Sequence, residues 1–258
     1  MKITDFNMDY FSLKGKNALV TGGNSGLGQA FSLALAKAGA NVYIPSIIPE
    51  EGETRTLLEN EGVKAYFEVA DLTADGVPKQ MVENAIEKMG SLDILVNCAG
   101  IIAVGKIDVF TREMWDKMTA INLTAAYEMA RAAAGPMVAQ KSGKIINVCS
   151  MYSFLGYANS VAYVTTKHGI AGLTKAMCDE LGQYNIQSNG IAPGFFETKV
   201  TEASRKMPGR VEAIINHTPA GRWGVVHDLM GTTVFLASRA SDFVNGHILA
   251  VDGGYLVR

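Results

Sequence analysis

The sequence predicts an α/β fold in which a doubly wound parallel sheet carries helices on both faces. Short apolar runs alternate with longer stretches of helical periodicity along the whole chain. The run at 92–97, LDILVN, is almost continuously apolar, as is expected of a strand buried on both faces. Glycines at 22–28 separate the first strand from the first helix. No linker-like stretch interrupts this alternation, so we expect one domain over residues 1–258.

The individual elements follow from the pattern of each segment. In the first helix, Ala30, Leu33, Ala34 and Ala38 recur at helical spacing, and Gly39 is expected to cap its end. The predicted strands are 17–21, 41–45, 64–70, 92–97, 144–150, 185–193 and 246–253. The predicted helices are 29–40, 50–61, 76–89, 112–140, 161–184 and 227–237, with a polar segment at 198–216 before the last of them.

Composition and charge exclude several classes of protein. Of the 258 residues, 48% are hydrophobic and 19% are charged, and the net charge is −2, so nothing favours binding to nucleic acid or to an anionic membrane. The first 16 residues lack the apolar core of a signal peptide, and no apolar run has the length of a membrane helix. We therefore expect a cytoplasmic protein.

The cysteines and histidines point to no metal or disulfide site. Cys98, Cys149 and Cys178 are too few for a disulfide scaffold and lie in apolar surroundings, which is typical of free thiols in a reducing cytosol. Cys149 adjoins Ser150, but no histidine is near it in sequence to activate a nucleophile. No His, Cys and Asp cluster has the spacing of metal ligands, so we expect no metal.

The glycine turn at 22–28 predicts a phosphate site. Gly22, Gly26 and Gly28 let the backbone turn tightly and let a diphosphate approach the start of the first helix. Their spacing, G-x-x-x-G-x-G, differs from the commonest dinucleotide fingerprint. Position 46, at the end of the second strand, discriminates NAD from NADP. Ser46 offers neither an acid for a ribose 2′-hydroxyl nor a cation for a 2′-phosphate, and we favour NAD because Glu50 and Glu51 follow.

A tyrosine and a lysine four residues apart predict acid–base chemistry. If 161–184 is a helix, Tyr163 and Lys167 lie one turn apart on the same face. The lysine charge then favours the phenolate, so that the phenol exchanges a proton with an alcohol or a carbonyl near neutral pH. Ser150 is placed to donate a hydrogen bond to the same substrate oxygen.

Taken together, these motifs resemble the short-chain dehydrogenase/reductase family, from about residue 13 to the end of the chain. The motifs that match in order and spacing are Thr21–Gly28, Asn97–Gly100, Asn122, Ser150, Tyr163 with Lys167, and Pro193 with Gly194.

The resemblance implies a Rossmann-type sheet of about seven strands, NAD or NADP as cofactor, and a catalytic set of Asn122, Ser150, Tyr163 and Lys167. Asn122 would hold a water that links Lys167 to solvent, although by itself it also fits an asparagine that bonds helix backbone. Asp71 would bond the adenine or cap a helix, and Thr198 would line the nicotinamide side or cap a helix. The implied cofactor site comprises Gly22, Asn24, Ser25, Gly26, Leu27, Gly28, Ser46, Asp71, Leu72, Asn97, Ala99, Gly100, Tyr163, Lys167, Ile191, Pro193, Gly194, Phe196 and Thr198.

Within the family, two groups are most similar, and both act on open-chain hexonates. The second-strand loop and the segments at 71–78, 218–224 and 251–258 resemble 2-deoxy-D-gluconate 3-dehydrogenases, also described as 2-dehydro-3-deoxy-D-gluconate 5-dehydrogenases. Segments at 177–194 and 241–247 resemble the gluconate 5-dehydrogenases equally well. The implied substrate is therefore a sugar acid.

The substrate pocket departs from these groups. Both tend to carry arginines directly after Asn-Ala-Gly, whereas here Ile101–Gly105 precedes the first cation, Lys106. Residues 194–217 are expected to form a mobile lid that hinges at Gly194 and at Pro208-Gly209. The candidate substrate residues are Ser150, Tyr152, Tyr157, Asn159, Phe195, Lys199 and Arg205.

The family resemblance also implies a homotetramer formed through the helices at about 112–140 and 161–184. A dinucleotide-binding sensor without chemistry is an alternative, but it would not need all four catalytic residues. An oxidoreductase of an unrelated alcohol, such as a steroid, would differ only in its pocket.

Overall fold

One seven-stranded parallel sheet organises the chain. The computed structural model describes residues 3–258, and the strand order is β3-β2-β1-β4-β5-β6-β7. This arrangement confirms the predicted Rossmann-type fold. The strands are β1 (Asn17–Val20), β2 (Asn41–Ser46), β3 (Ala65–Val69), β4 (Ile94–Asn97), β5 (Gly143–Val148), β6 (Ile186–Pro193) and β7 (Ile248–Val251).

Helices cover both faces of the sheet. They are α1 (Gly26–Lys37), α2 (Glu53–Glu59), α3 (Val77–Met89), α4 (Arg112–Thr119), α5 (Ala125–Gln140), α6 (Val161–Leu181), α7 (Glu202–Arg205), α8 (Arg210–His217) and α9 (His227–Ala237). Short 3-10 turns lie at Ile3–Asp5, Met8–Phe11, Met151–Ser153, Gly182–Tyr184, Arg239–Ser241 and Tyr255–Val257. Within residues 3–258, no helix combines the length and apolar character needed to cross a bilayer.

The core consists of two apolar layers, one on each side of the sheet. Phe31 and Leu35 of α1 pack with α9 against one face. Met81 of α3 and Met129 of α5 pack against the other. Every residue of β1, β4 and β6 is buried, which explains the apolar runs of β1 and β4. β6 also buries three polar side chains, those of Gln187, Ser188 and Asn189.

The strand order places the predicted site at the carboxyl ends of the central strands. β1 pairs with β2 on one side and with β4 on the other, so the connections leave in opposite directions at this point. A crevice outside the carboxyl ends of the strands at such a switch point is where doubly wound folds bind ligands. Thr21, Cys98 and Ser150 follow the ends of β1, β4 and β5 at that edge.

Two long predicted helices differ in the structure. The predicted helix at 112–140 is divided into α4 and α5 by a π-helical turn at Ala120–Thr124. The predicted helix at 161–184 ends at Leu181 and continues as a 3-10 turn. The polar segment at 198–216 folds as two short helices, because Gly209 at φ 71° interrupts it. The other boundaries differ from the prediction by a few residues at element ends.

Candidate active site

The turn between β1 and α1 brings the backbone close to itself. Gly22 adopts φ 64° and donates its N–H to the Pro45 carbonyl at 2.9 Å. A Cβ atom at Gly28 would lie 2.2 Å from the Gly22 carbonyl oxygen, so this contact requires glycine. Ser25 precedes α1, and its exposed side chain makes no capping hydrogen bond. The first N–H groups of α1 are therefore free of intrahelical partners and suit an anion.

Polar atoms around this turn fit a bound dinucleotide. Asn24 donates Nδ2 to the Ile48 carbonyl at 2.7 Å, which ties the turn to the end of β2. Its Oδ1 is buried and has no hydrogen-bond partner. Gly26 leaves open space where a side chain would begin. A hydroxyl of a bound dinucleotide would donate to the buried Asn24 Oδ1. Its phosphates would accept hydrogen bonds from the N–H groups at the start of α1, beside the glycines.

The residues predicted to hold the adenosine half have local partners of their own. Ser46 accepts the Ile48 N–H through Oγ at 3.1 Å. Asp71 accepts the N–H and the hydroxyl of Thr73 at 2.9 and 2.6 Å, and these bonds lower the pKa of that carboxyl. The alternative that Asp71 caps a helix is wrong, because Gly76 precedes α3 and the aspartate forms a turn of its own.

The end of β4 is fixed against the glycine turn. Thr21 Oγ1 accepts the N–H groups of Cys98 and Ala99, both at 2.9 Å. The Asn97 side chain turns into the sheet instead and donates to Asn147 Oδ1 at 2.9 Å. The backbone after Asn97, rather than its amide side chain, therefore borders the crevice.

Asn122 lies in the π-helical turn and binds a distant backbone segment. Its Oδ1 accepts the Ile101 N–H at 2.8 Å, and its Nδ2 donates to the Ile101 carbonyl at 2.9 Å. A third contact, from Nδ2 to Thr166 Oγ1 at 3.4 Å, reaches α6. Asn122 thus joins the loop after β4 to the helix that bears Tyr163 and Lys167. Single π turns of this kind recur at functional sites.

Ser150, Tyr163 and Lys167 are brought together by the packing of α6 on the turn after β5. Ser153 Oγ donates to the Lys167 carbonyl at 2.8 Å and accepts the Ser150 N–H at 3.2 Å. The buried Lys167 donates Nζ to the Val148 carbonyl at 2.6 Å, and this nitrogen lies 5.6 Å from the centre of the Tyr163 ring. A cation is therefore held beside a half-buried phenol, on the helix that packs against the turn containing Ser150.

Cys149 precedes Ser150, but its thiol is unreactive near pH 7. Its side chain is buried, and burial raises the pKa of the thiol to about 11. The nearby Lys167 charge lowers that pKa by less than burial raises it. A thiol of this kind is neutral near pH 7 and is no nucleophile.

An aromatic wall extends from Tyr163 away from the glycine turn. The Tyr152 ring lies 6.2 Å from the Tyr163 ring, edge to face, and 4.7 Å from the Tyr157 ring. Phe195 packs against Tyr255 at 5.3 Å. Burial is the main cause that raises the pKa of Tyr152, so its hydroxyl stays a neutral donor.

Two other candidates for the substrate pocket lie outside this wall. Asn159 is exposed, adopts φ 63°, and accepts the Gly105 N–H through its carbonyl at 2.8 Å. It lines a groove of about 260 Å³ together with Gly156, Thr165 and Tyr157, so this groove adjoins the wall at Tyr157. Lys106 is exposed on the loop beside this groove.

The segment after β6 begins with a close backbone contact. A Cβ atom at Gly194 would lie 2.8 Å from the Asp252 Cα. Phe196 is buried, and its carbonyl accepts the Thr201 hydroxyl at 2.7 Å. The alternative that Thr198 caps a helix is wrong: α7 begins four residues later and follows Thr201.

The cations predicted on the lid differ in their surroundings. Arg205 lies 3.9 Å from the Glu197 carboxylate and donates to the Thr198 carbonyl at 3.3 Å, so its contacts are within the 194–217 segment itself. Lys199 is exposed.

Arg210, the first residue of α8, was not predicted from the sequence as a site residue. Its guanidinium carbon lies 5.5 Å from the centres of both the Tyr157 and the Phe195 rings, and it donates a hydrogen bond to the Tyr157 hydroxyl. The available signal was Pro208-Gly209 immediately before it, since a glycine in the left-handed region starts a new helix and redirects the chain. Across residues 3–258, no group of three or more His, Cys, Asp or Glu side chains is arranged to hold a metal ion.

Comparison with known proteins agrees with this geometry. The model of the short chain dehydrogenase family matches residues 16–209. An uncharacterised oxidoreductase of Escherichia coli K12, YgcW, is 57% identical over 253 residues, which cover 98% of this chain and 97% of that protein. The 2-dehydro-3-deoxy-D-gluconate 5-dehydrogenase of Bacillus subtilis 168 is 44% identical over 250 residues, which cover 97% and 98%.

A solved structure shows the same fold. The gluconate 5-dehydrogenase from Burkholderia cenocepacia J2315, in complex with NADP and tartrate, superposes with a TM-score of 0.91 at 39% identity, covering 97% of this chain and 98% of that one. The chain belongs to the short-chain dehydrogenase/reductase family, whose members are NAD(P)-dependent oxidoreductases that act on CH–OH groups.

Proposed function

We propose that this protein interconverts a ketone and a secondary alcohol on a hexonate-type sugar acid, with Tyr163 as the acid and base. The observation that carries the proposal is the buried Lys167 ammonium held 5.6 Å from the Tyr163 ring, at the edge of the sheet where Ser150 also lies. The similarity to enzymes named for gluconate-type substrates supports the sugar-acid class. The favoured reaction is that of a 2-dehydro-3-deoxy-D-gluconate 5-dehydrogenase or 2-deoxy-D-gluconate 3-dehydrogenase, and the alternative is a gluconate 5-dehydrogenase.

Each residue of the set has a defined task in the proposal. The nicotinamide, when bound, supplies or accepts the hydride. Tyr163 gives its phenolic proton to the substrate oxygen in reduction and takes it back in oxidation. Ser150 donates a hydrogen bond to the same oxygen, and Lys167 holds a positive charge beside the Tyr163 ring. Asn122 fixes the loop at Ile101 and maintains the path from Lys167 to solvent.

The cofactor in this proposal is NAD(H) rather than NADP(H). Ile47 and Ile48, which follow Ser46, are 64% and 54% exposed, and neither offers a cation for a 2′-phosphate. A relative has been solved in complex with NADP, so the experiment below compares NADH with NADPH. The turn at 22–28, Asp71 and the backbone after β4 would hold the adenosine and the diphosphate.

The decisive experiment follows NADH and NADPH absorbance with a panel of keto and hydroxy hexonates. We expect turnover of 2-dehydro-3-deoxy-D-gluconate or its 5-keto counterpart with NAD(H), above that with NADP(H). Activity on gluconate and 5-ketogluconate alone would favour the alternative enzyme. Activity confined to steroid or acyl-chain alcohols would refute the sugar-acid class, and cofactor binding without any turnover would favour the sensor.

Two further expectations belong to the proposal. A homotetramer would form through α4, α5 and α6, which light scattering of the purified protein tests. The segment at 194–217 would close over substrate as a lid. Limited proteolysis of the free protein should then cut within 198–212 first, and bound substrate should protect these bonds.

A further inference from the structure

Arg210 is a cation without an anion. In the described chain, no carboxylate oxygen lies within ion-pair distance of its guanidinium. Its hydrogen-bond partner is the Tyr157 hydroxyl, which is a neutral group. The guanidinium is nevertheless held in place, because it lies over two aromatic rings at 5.5 Å each. A guanidinium that is fixed but not neutralised suits a planar anion such as a carboxylate.

Three neighbouring cations in the same part of the chain are paired, whereas the exposed Lys199 has no ion pair among the described residues. Arg205 has Glu197, Lys206 has Glu202 at 2.6 Å, and Arg222 has Asp228 at 2.7 Å. The absence of an acid at Arg210 is therefore a property of this position and not of the whole segment.

Tyr152 supplies a second unmet hydrogen-bonding group on the same wall. Its side chain is 7% exposed, and its hydroxyl oxygen is buried without a partner. A buried hydroxyl without a partner is uncommon and points to a missing ligand. Its ring lies 4.7 Å from the Tyr157 ring, and the Arg210 charge acts on the same phenol. The Arg210 guanidinium and the Tyr152 ring therefore both lie beside the Tyr157 ring.

We propose that Arg210 and the Tyr152 hydroxyl together bind the carboxylate of the acid substrate. This inference rests on the proposed sugar-acid function and names the groups that recognise the acid. Arg210 takes the role of the arginines expected after Asn-Ala-Gly, where this chain has Ile101–Gly105. Arg210 holds the anion, Tyr157 orients Arg210, and Tyr152 donates to a carboxylate oxygen.

The position of this site limits the substrate. The Tyr152 ring lies between Tyr163 and Tyr157, at 6.2 and 4.7 Å from their ring centres. The carboxylate is therefore held one aromatic ring away from the proton donor. We therefore expect a hexonate that reacts at a distal carbon to be a better substrate than a short 2-hydroxy acid, whose reacting carbon adjoins the carboxylate.

The test compares Arg210→Gln with Lys206→Gln in steady-state kinetics. The control removes one positive charge from the same segment, at a side chain that is 73% exposed. For a hexonate substrate we expect KM to rise about 100-fold in Arg210→Gln, with kcat within a few-fold, because a charged hydrogen bond to the substrate is lost. Lys206→Gln should keep the wild-type KM. The wild type should prefer the hexonate to its neutral amide, and Arg210→Gln should lose this preference.

Tyr152→Phe separates recognition from folding. The hydroxyl has no partner in the protein, so its removal should leave the melting temperature unchanged while KM for the hexonate rises about tenfold. An unchanged KM in both Arg210→Gln and Tyr152→Phe, with the wild type active on hexonates, would overturn this site and leave the proposed function intact. A wild type that turns over only uncharged alcohols would overturn both.

Discussion

The two halves of the crevice are built by different means. On the cofactor side, every one of these contacts involves a backbone group: the Gly22 N–H donates to the Pro45 carbonyl, and two N–H groups at the end of β4 donate to Thr21 Oγ1. On the substrate side, the contacts are made by side chains from separate segments: Tyr152 and Tyr157 after β5, Phe195 after β6, and Arg210 on the lid. The first half is determined by local sterics and the second by tertiary packing.

This difference predicts how each half responds to mutation. In the glycine turn, an added side-chain atom clashes with the backbone. In the aromatic wall, replacing one residue removes only the contacts of that residue. In the proposed mechanism, Tyr163 stands where the halves meet, because its proton transfer needs both the cofactor and the substrate. The largest effect is therefore expected at this residue, and progressively smaller ones away from it.

Tyr163→Phe should lower kcat by about a thousandfold or more, since a positioned acid or base contributes roughly 10²–10⁴. The dissociation constant of NADH, measured by fluorescence titration, should change by less than threefold, because the phenol lies outside the glycine turn. Turnover near the wild-type rate would contradict the assigned proton donor. Loss of NADH binding would mean that the two halves are not separable.

Gly28→Ala should weaken NADH binding about 100-fold and destabilise the protein, because the new Cβ would lie 2.2 Å from the Gly22 carbonyl. The matched control is Gly62→Ala, where φ is 77° and no atom lies within 4 Å. It should cost about 1 kcal/mol of unfolding free energy through backbone strain and leave NADH binding unchanged. Equal effects of the two substitutions on the NADH dissociation constant would show that the turn is not the diphosphate site.

The same contrast explains what could be predicted from the sequence. The glycine turn and the sheet were predictable, because glycine at close approaches and apolar runs in buried strands are local requirements. Tyr163 and Lys167 were predictable as neighbours, because helical spacing alone puts them on one face. That the Lys167 ammonium bonds the Val148 carbonyl was not, since this contact depends on how α6 packs on β5.

Features that depend on packing were missed or misjudged. The π-helical turn at Ala120–Thr124 leaves no signal in an Ala-rich sequence of helical periodicity. Arg205 was predicted as a substrate cation, yet Glu197, eight residues earlier, lies within ion-pair distance of it. Arg210 was not predicted, because its aromatic partners come from segments about 15 and 53 residues away.

Asn122→Ala tests the link between the halves. It removes both hydrogen bonds to Ile101 and leaves a part-buried N–H and carbonyl unpaired, so we expect a loss of about 2–4 kcal/mol in unfolding free energy. We also expect about a tenfold fall in kcat, because the loop after β4 shifts. Thr166→Val is the comparison: it removes the 3.4 Å contact to Asn122 and the 2.9 Å bond from Thr166 Oγ1 to the Tyr163 carbonyl but keeps both bonds to Ile101, and its effect on kcat should be smaller. The reverse order would place the critical contact on α6 rather than on the loop.

Cys149 gives the smallest expected effect, because it adjoins the site without taking part in it. Its folded-state pKa of about 11 lies above the ordinary value of about 8.5, so the folded protein keeps this proton longer than the unfolded chain. Its contribution to stability is therefore fully present below about pH 8.5 and is lost as pH rises through 11. Urea titrations should accordingly show the stability difference between wild type and Cys149→Ala shrinking from pH 8 to pH 11.

At pH 8, iodoacetamide should label the half-buried Cys178 before Cys149, as peptide mapping would detect. Faster labelling of Cys149, with loss of activity, would instead identify a reactive thiol at the point where the two halves meet.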